Sequence, residues 1–161
     1  MVCDMHRFDK RALSGADTIL FAHPITARFQ DVDAAGIVFY ARIVTWFHDA
    51  YFAFLASAGI DMPALIADGE VIAPMAHVEA DYFSPVRFGD AMLAEIVAAH
   101  VDGAALALGF RLVRSDEKRE VVSVGQQVHL CVDRRTMTRV DVPADLVAGM
   151  QPLLDAAAPA G

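Results

Sequence analysis

The sequence is short of cysteine, short of cations and without any long uninterrupted apolar run. Its 2 cysteines, Cys3 at the start and Cys131 inside a strand-like stretch, make no disulfide framework and suit a reducing cytoplasm. Lys and Arg total 13 against 21 Asp and Glu, a formal charge of -8. That balance argues against a nucleic-acid binder, which carries a basic stripe, though a local cationic patch for an anionic ligand stays open. No segment is long enough to span a bilayer. The opening "MVCDMHRFDKRALSGADTIL" interrupts its apolar residues with charge where a secretory leader needs an unbroken stretch. A protein that is neither exported nor membrane-bound is expected. There is no internal repeat and no low-complexity linker.

What is abundant is apolar surface. Hydrophobic residues make up 56% of 161, a length that fits one domain spanning 1–161 and more apolar area than a lone domain of that size readily hides. A homodimer or homotetramer is the simplest outlet. Residues 1–20 read as a loose arm, and "HPITARFQD" alternates as a first strand. From Tyr40 to Ala58, apolar residues Ile43, Trp46, Phe47, Ala50, Phe54, Leu55 and Ala58 recur at spacings of three and four, predicting an amphipathic helix closed by Gly59.

A loop from Ile60 to Glu70 is then expected, followed by a strand over "IAPMAHVEADYFSP". The runs "AMLAEIVAAHV", "AALALGFRLVRSD" and "EVVSVGQQVHLCVD" read as strands of a meander, divided by "DG" and by "SDEKRE". A short helix and an alanine-rich tail end the chain. One long helix against a curved antiparallel sheet is an α+β layout.

The chemistry gathers just ahead of the helix, in "RFQDVDAAGIVFYARIVTWFHDAY". The pair Asp31 and Asp33 has three readings. A metal site lacks further ligands nearby; a solvated turn is the ordinary fate of a D-x-D; the third is a catalytic carboxylate at a pocket mouth, with Gly36 allowing close backbone approach. The helix start favours the third, because Tyr40 is preceded by none of the usual N-capping residues. Its first N–H groups are available to a carbonyl oxygen gaining charge during acyl transfer, with the helix dipole behind them. A thioester suits such a pair, since a thiol of pKa about 8.5 leaves with little acid assistance.

The stretch "DVDAAGIVFYARIVTWFHDAY" resembles the signature of the 4-hydroxybenzoyl-CoA thioesterase family of hotdog-fold proteins, D-x-D-x-x-G-[IV]-V-x-[YF] followed by the central helix. "APMAHVEADYFSPVRFGD" resembles the family's strand and turn after that helix, so the likeness covers most of Arg28 to Asp90. The resemblance implies an acyl-CoA substrate, a homo-oligomer and no cofactor. It makes Asp33 the carboxylate, as nucleophile or general base, and the Tyr40 N–H the donor to the thioester carbonyl, with Gly36 tightening the loop.

Phe39, Trp46, His48 and Asp31 complete the candidate substrate-binding set, Asp31 chiefly as loop support. Where the 4-hydroxybenzoyl specialists carry an acid two residues beyond the tryptophan, this chain has His48. "DAAG", "HDAY" and "HVEADYF" look closer to the 1,4-dihydroxy-2-naphthoyl-CoA thioesterases of the same family. The resemblance thus implies an aromatic, 4-hydroxybenzoyl-like acyl group, with 1,4-dihydroxy-2-naphthoyl or a short aliphatic chain as alternatives.

Other groups carry weaker readings. Arg87, Arg111, Arg114, Lys118 and Arg119 are the cations for the coenzyme A phosphates or are ordinary surface charge. His77, Glu79 and Asp81 share a strand face, but alternate strand residues lie roughly 6.6 Å apart and metal binding needs ligands from elsewhere. His129 and Cys131 share another face at the same spacing, too far for a nucleophile pair. Trp46, Phe47, Phe39 and Met75 are candidates for an aryl pocket; core packing is the better reading for Phe47, which sits on the apolar stripe, while Phe39 suits either. A non-catalytic acyl-CoA or aryl-acid binding protein is the rival from another class, and a hydratase finds no Asp–His pair in a persuasive place.

Overall fold

The computed structural model describes residues 6–157; Cys3 and the last residues of the alanine-rich tail lie outside the described part. Its main body is a five-stranded antiparallel sheet around one long helix. The strands are β1 (Phe21–Thr26), β3 (Met75–Tyr82), β4 (Ala91–Asp102), β5 (Ala105–Arg114) and β6 (Val121–Leu130), in the order β1-β4-β5-β6-β3. A second, two-stranded ribbon pairs β2 (Val71–Ile72) with β7 (Val132–Asp133). The edges of the main sheet are therefore β1 and β3.

Helix α2 (Tyr40–Ser57) has neither Pro nor Gly in its 18 residues and buries Ile43, Trp46, Phe47, Ala50, Tyr51, Phe54 and Leu55 along one side. These pack on inward residues of the sheet, Met92, Ala94, Ile96, Leu108, Phe110 and Leu112 among them. Phe47 stacks on Phe110 with centroids 5.2 Å apart. Gly125 makes room for that ring: a Cβ there would meet Phe47 at 2.8 Å and the Glu79 carbonyl oxygen at the same distance. Each such aromatic or aliphatic side chain contributes about 1.5–3 kcal/mol of burial.

Four local expectations are corrected. Residues 1–20 are not loose throughout, because α1 (Lys10–Ser14) is capped by Asp9, whose side chain accepts from the N–H groups of Arg11 and Ala12. It lies on the outer sheet face, with Leu13 buried beside Val97 and Val124 and against Gly109. Arg111 fastens it further, donating to the Ser14 and Ala16 carbonyls while paired with fully buried Glu95.

The loop expected at 60–70 contains α3 (Met62–Asp68), started by the Asp61 side chain accepting from the Ala64 N–H and by Pro63 in the first turn. The strand expected from Ile72 to Pro85 is broken at Pro74, and the two pieces join different sheets. The terminal helix α4 (Ala144–Ala157) is also longer than expected, with Pro152 inside it.

Candidate functional site

Between β1 and α2 the chain makes a single 3-10 turn, Phe29–Asp31, and then a narrow loop closed by a bridge between Val32 and Val38. Within it the Asp33 N–H donates to the Ile37 carbonyl at 2.9 Å and the Gly36 N–H to the Asp33 carbonyl at 3.0 Å. Gly36 takes φ 74 with nothing within 4 Å of where a Cβ would stand, so backbone conformation and not crowding requires glycine. Asp33 itself is exposed, one carboxylate oxygen accepting from the Ala35 N–H at 2.8 Å. Its second oxygen takes no hydrogen bond from the described residues.

Asp31 faces the opposite way. It is 2% exposed, with one oxygen accepting from the Arg28 N–H at 2.8 Å and the other from Arg42 Nε at 2.7 Å. Its backbone carbonyl accepts the Phe39 N–H at 2.9 Å. The two aspartates thus divide: Asp31 clamps the turn to the first turn of α2, and Asp33 is presented to solvent. The loop support expected of Asp31 is what its contacts provide, and a side chain this enclosed has no open face for a ligand.

The start of α2 has the uncapped form read from the sequence. Phe39 occupies the N-cap with no side-chain hydrogen bond, and among the described residues the Tyr40 N–H has no acceptor, whereas the Arg42 N–H reaches the Phe39 carbonyl. An exposed carboxylate and an unpaired helix N-terminus therefore lie on adjoining segments of one clamped loop. Such a pair can add or direct a nucleophile at a carbonyl carbon while the N–H and the dipole hold the oxygen.

Around them are exposed aromatic rings, Phe39 and Tyr40 at 4.4 Å centroid separation, with the Tyr82 hydroxyl donating to the Tyr40 carbonyl at 3.2 Å. Trp46, by contrast, is 3% exposed and belongs to the core.

His48 lies farther along α2, about 12 Å of helix rise beyond Tyr40. Its Nδ1 is 3.4 Å from Gln127 Oε1, and Gln127 Nε2 donates to the Val44 carbonyl. There it borders a half-open pocket of about 960 Å³ between α2, α3, β2 and α4, whose wall also includes Tyr51, His129 and Cys131. Asp33 and Tyr40 do not line it.

The sequence held a signal for this pocket in the alternation of Gln127, His129 and Cys131 on β6 and just beyond it. It could not show that α3, expected as a loop, supplies the facing wall. Cys131 and His129 form no nucleophile pair: burial raises the thiol above its ordinary value and holds the imidazole below its own.

The remaining polar candidates are mostly engaged in structural contacts. His77 Nε2 is 3.0 Å from Glu79 Oε2, and Glu79 also meets Arg7 and Gln126. Of the proposed phosphate cations, Arg111 and Arg119 both pair with Glu95, while Arg114 holds Asp90, Glu120 and the Pro85 carbonyl. Only Arg87 and Lys118 of that group lack a side-chain ion pair among the described residues. No helix among the described residues is long and apolar enough to cross a membrane.

A long helix wrapped by an antiparallel sheet, with an acid loop at the helix start, defines a hotdog-fold domain. Residues 27–150 match the family model described as the thioesterase-like superfamily. The 1,4-dihydroxy-2-naphthoyl-CoA hydrolase of Synechococcus elongatus is 34% identical over 125 residues, covering 77% of this chain and 90% of that protein. The hydrolase of the same name from Rippkaea orientalis is 26% identical over 122 residues, 76% of this chain and 88% of the relative. Among solved structures, a 1,4-dihydroxy-2-naphthoyl-CoA thioesterase from Synechocystis superposes with a TM-score of 0.77 at 20% identity, over 81% of this chain and 95% of that one. The chain belongs to the thioesterase-like superfamily: it is a hotdog-fold acyl-CoA thioesterase.

Proposed function

We propose that the chain hydrolyses an aromatic acyl-CoA, with 1,4-dihydroxy-2-naphthoyl-CoA the first candidate and 4-hydroxybenzoyl-CoA the second. The observation that carries the mechanism is the exposed Asp33 carboxylate on the loop that leads into an unpaired helix start. The thioester carbonyl oxygen lies at the Tyr40 N–H, where the dipole of α2 stabilises the charge it gains. Asp33 attacks the carbonyl carbon or takes the proton of an attacking water, and the coenzyme leaves as thiolate. Gly36 permits the turn that holds the acid in front of the helix. Phe39, exposed beside this point, offers an aryl face to the acyl group. The order of preference among substrates follows the relatives named above.

The working form is a homodimer joined through the free edge of β3. Met75, Val78 and Tyr82 are exposed on that strand, and Phe83 and Tyr40 stand next to it, so pairing two such edges covers apolar surface and unpaired strand backbone together. The decisive experiment measures thiol release from both aryl-CoAs and from short-chain acyl-CoA by wild type and Asp33→Asn. The expected result is faster turnover of the aryl substrates, with kcat falling by orders of magnitude in the variant and KM changed little. A wild-type rate preserved in Asp33→Asn overturns the assignment, and binding without turnover of any thioester points to a carrier.

A further inference from the structure

The chain makes the same four-residue turn twice. "RFQD" at 28–31 enters the acid loop, and "RFGD" at 87–90 leads into β4. In both, the aspartate side chain accepts from the arginine backbone N–H, at 2.8 Å in the first and 3.0 Å in the second. The aspartate N–H donates back to the arginine carbonyl, at 3.0 and 3.1 Å. Each aspartate is then held by an arginine of a regular element, Asp31 by Arg42 of α2 and Asp90 by Arg114 of β5. The turns are also tied to each other through buried Ala27, whose N–H donates to the Asp90 carbonyl and whose carbonyl accepts the Gly89 N–H, both at 2.9 Å.

This doubled frame displays two phenylalanines. Phe29 is 77% exposed and Phe88 64%, more than any other large hydrophobic residue among those described. Their rings stand edge to face, centroids 6.3 Å apart and planes at 89°. Two perpendicular rings form a corner in which a planar group stacks on one and meets the other with its edge. Arg28 and Arg87, the residues ahead of them, are exposed, and neither guanidinium makes a hydrogen bond or ion pair among the described residues. The turn aspartates are already matched by Arg42 and Arg114. An exposed arginine needs no ligand, but a pair of rings held in water by two matched turns does not follow from packing. In a chain of formal charge -8, unmatched cations beside bare rings suit a ligand that is both planar and anionic.

The substrate class supplies such a ligand, because coenzyme A carries an adenine base and phosphates at the end of its pantetheine arm remote from the thioester. Phe29 lies four residues before Asp33, so at most about 14 Å of extended chain separates them, a gap that the arm spans. We propose that the paired turns bind the nucleotide end of coenzyme A, with adenine stacked in the corner of Phe29 and Phe88 and the phosphates drawn to Arg28 and Arg87. The assignment deepens the proposed function, resting on an acyl-CoA substrate but on no particular acyl group. It also supplies cations where Arg111, Arg114 and Arg119 are engaged by structural carboxylates.

Calorimetric titration of the full chain with coenzyme A and with pantetheine, which lacks the nucleotide, tests the site without turnover. Wild type is expected to bind coenzyme A roughly a hundredfold more tightly, about tenfold from stacking and about tenfold from the phosphates. Phe29→Ala with Phe88→Ala removes the first factor, and Arg28→Gln with Arg87→Gln the second. Only the arginine contribution falls as salt is raised. Arg135→Gln, at an exposed cation on the turn after β7, controls for net charge. Adenosine 3′,5′-bisphosphate is expected to displace coenzyme A and to leave pantetheine binding unchanged, which separates the coenzyme's own nucleotide from a free one bound elsewhere.

No wild-type preference for coenzyme A over pantetheine, an undiminished preference in either double variant, an equal loss in Arg135→Gln, or a bisphosphate that fails to displace coenzyme A overturns the proposal. So does a changed sedimenting species in the phenylalanine variant with coenzyme affinity intact, which makes the rings a subunit contact. Neither probe carries an acyl group. If no thioester is turned over, or Asp33→Asn keeps the wild-type rate, the proposed function fails while the binding result still stands.

Discussion

Asp31 and Arg42 form a pair whose two members are unequally enclosed, and that inequality sets what each substitution costs. Asp31 is 2% exposed and Arg42 is 41% exposed at the side chain. Removing the arginine leaves a carboxylate that has lost its counter-charge out of reach of water, held by the Arg28 N–H alone. For a fully buried pair such a break costs about 3–5 kcal/mol; with one partner half in solvent, Arg42→Ala is expected to cost about 2–4 kcal/mol. Asp31→Asn removes the charge itself, keeps an oxygen for the Arg28 N–H, and frees an arginine that solvent already reaches, so about 1–2 kcal/mol is expected.

The order is therefore Arg42→Ala worse than Asp31→Asn, and the double variant no worse than Arg42→Ala, because the stranded charge has gone. With a urea slope of about 2 kcal/mol/M for a chain of this size, Arg42→Ala should lower the unfolding midpoint by about 1–2 M. Asp31→Asn costing more than Arg42→Ala, or additive losses in the double variant, would refute the reasoning. Because the Asp31 carbonyl also receives the Phe39 N–H at the helix entry, both variants should lower kcat more than they raise KM.

Two further expectations concern pH and assembly. Burial holds His129 below its ordinary value of 6.5, so the folded state binds fewer protons than the unfolded chain once pH falls below that value. Stability is full above 6.5 and declines as pH falls towards the lower folded value, with His48 and Tyr51 facing the ring. Urea midpoints at pH 7.5 and 5.5 should therefore differ less in His129→Leu than in wild type, and an unchanged slope would remove His129 from the account. The depressed carboxylates Glu79 and Asp90 act at lower pH and do not confuse the comparison. If β3 edges pair, Val78→Lys should convert a sedimenting dimer to a folded monomer; a monomeric wild type would defeat the dimer proposal.

The long elements were legible because their periodicity is enforced over many residues. Tyr40–Ser57 buries a stripe at spacings of three and four, and β4, β5 and β6 are central strands whose apolar content had to be high on at least one face. The short elements were not legible, for physical reasons that differ. Helix α1 owes its place to Leu13 and to the carbonyls that Arg111 collects from Ser14 and Ala16, contacts made across the sheet and invisible to a local pattern. Helix α3 does carry a local signal, Asp61 with Pro63, but its seven residues are too few to show a period.

The acid loop divides in the same way, and the division explains why a D-x-D cannot be read as one unit. Alternate residues of a loop that is nearly extended around Val32 point to opposite sides, so enclosing Asp31 beneath Arg42 turns Asp33 outward. The buried acid holds the geometry, the exposed acid keeps a free oxygen, and the sequence shows both residues without showing which has the arginine. The missing N-cap was legible, since Phe39 can offer no acceptor to the helix whatever the tertiary context. The pocket was not, because its walls come from α2, α3, β2 and α4, and the Ala73 carbonyl that fixes the tautomer of His129 lies far from it along the chain. Residue types reveal which groups can do chemistry, whereas the tautomer of His129 is set only once the fold has chosen the partner of one ring nitrogen.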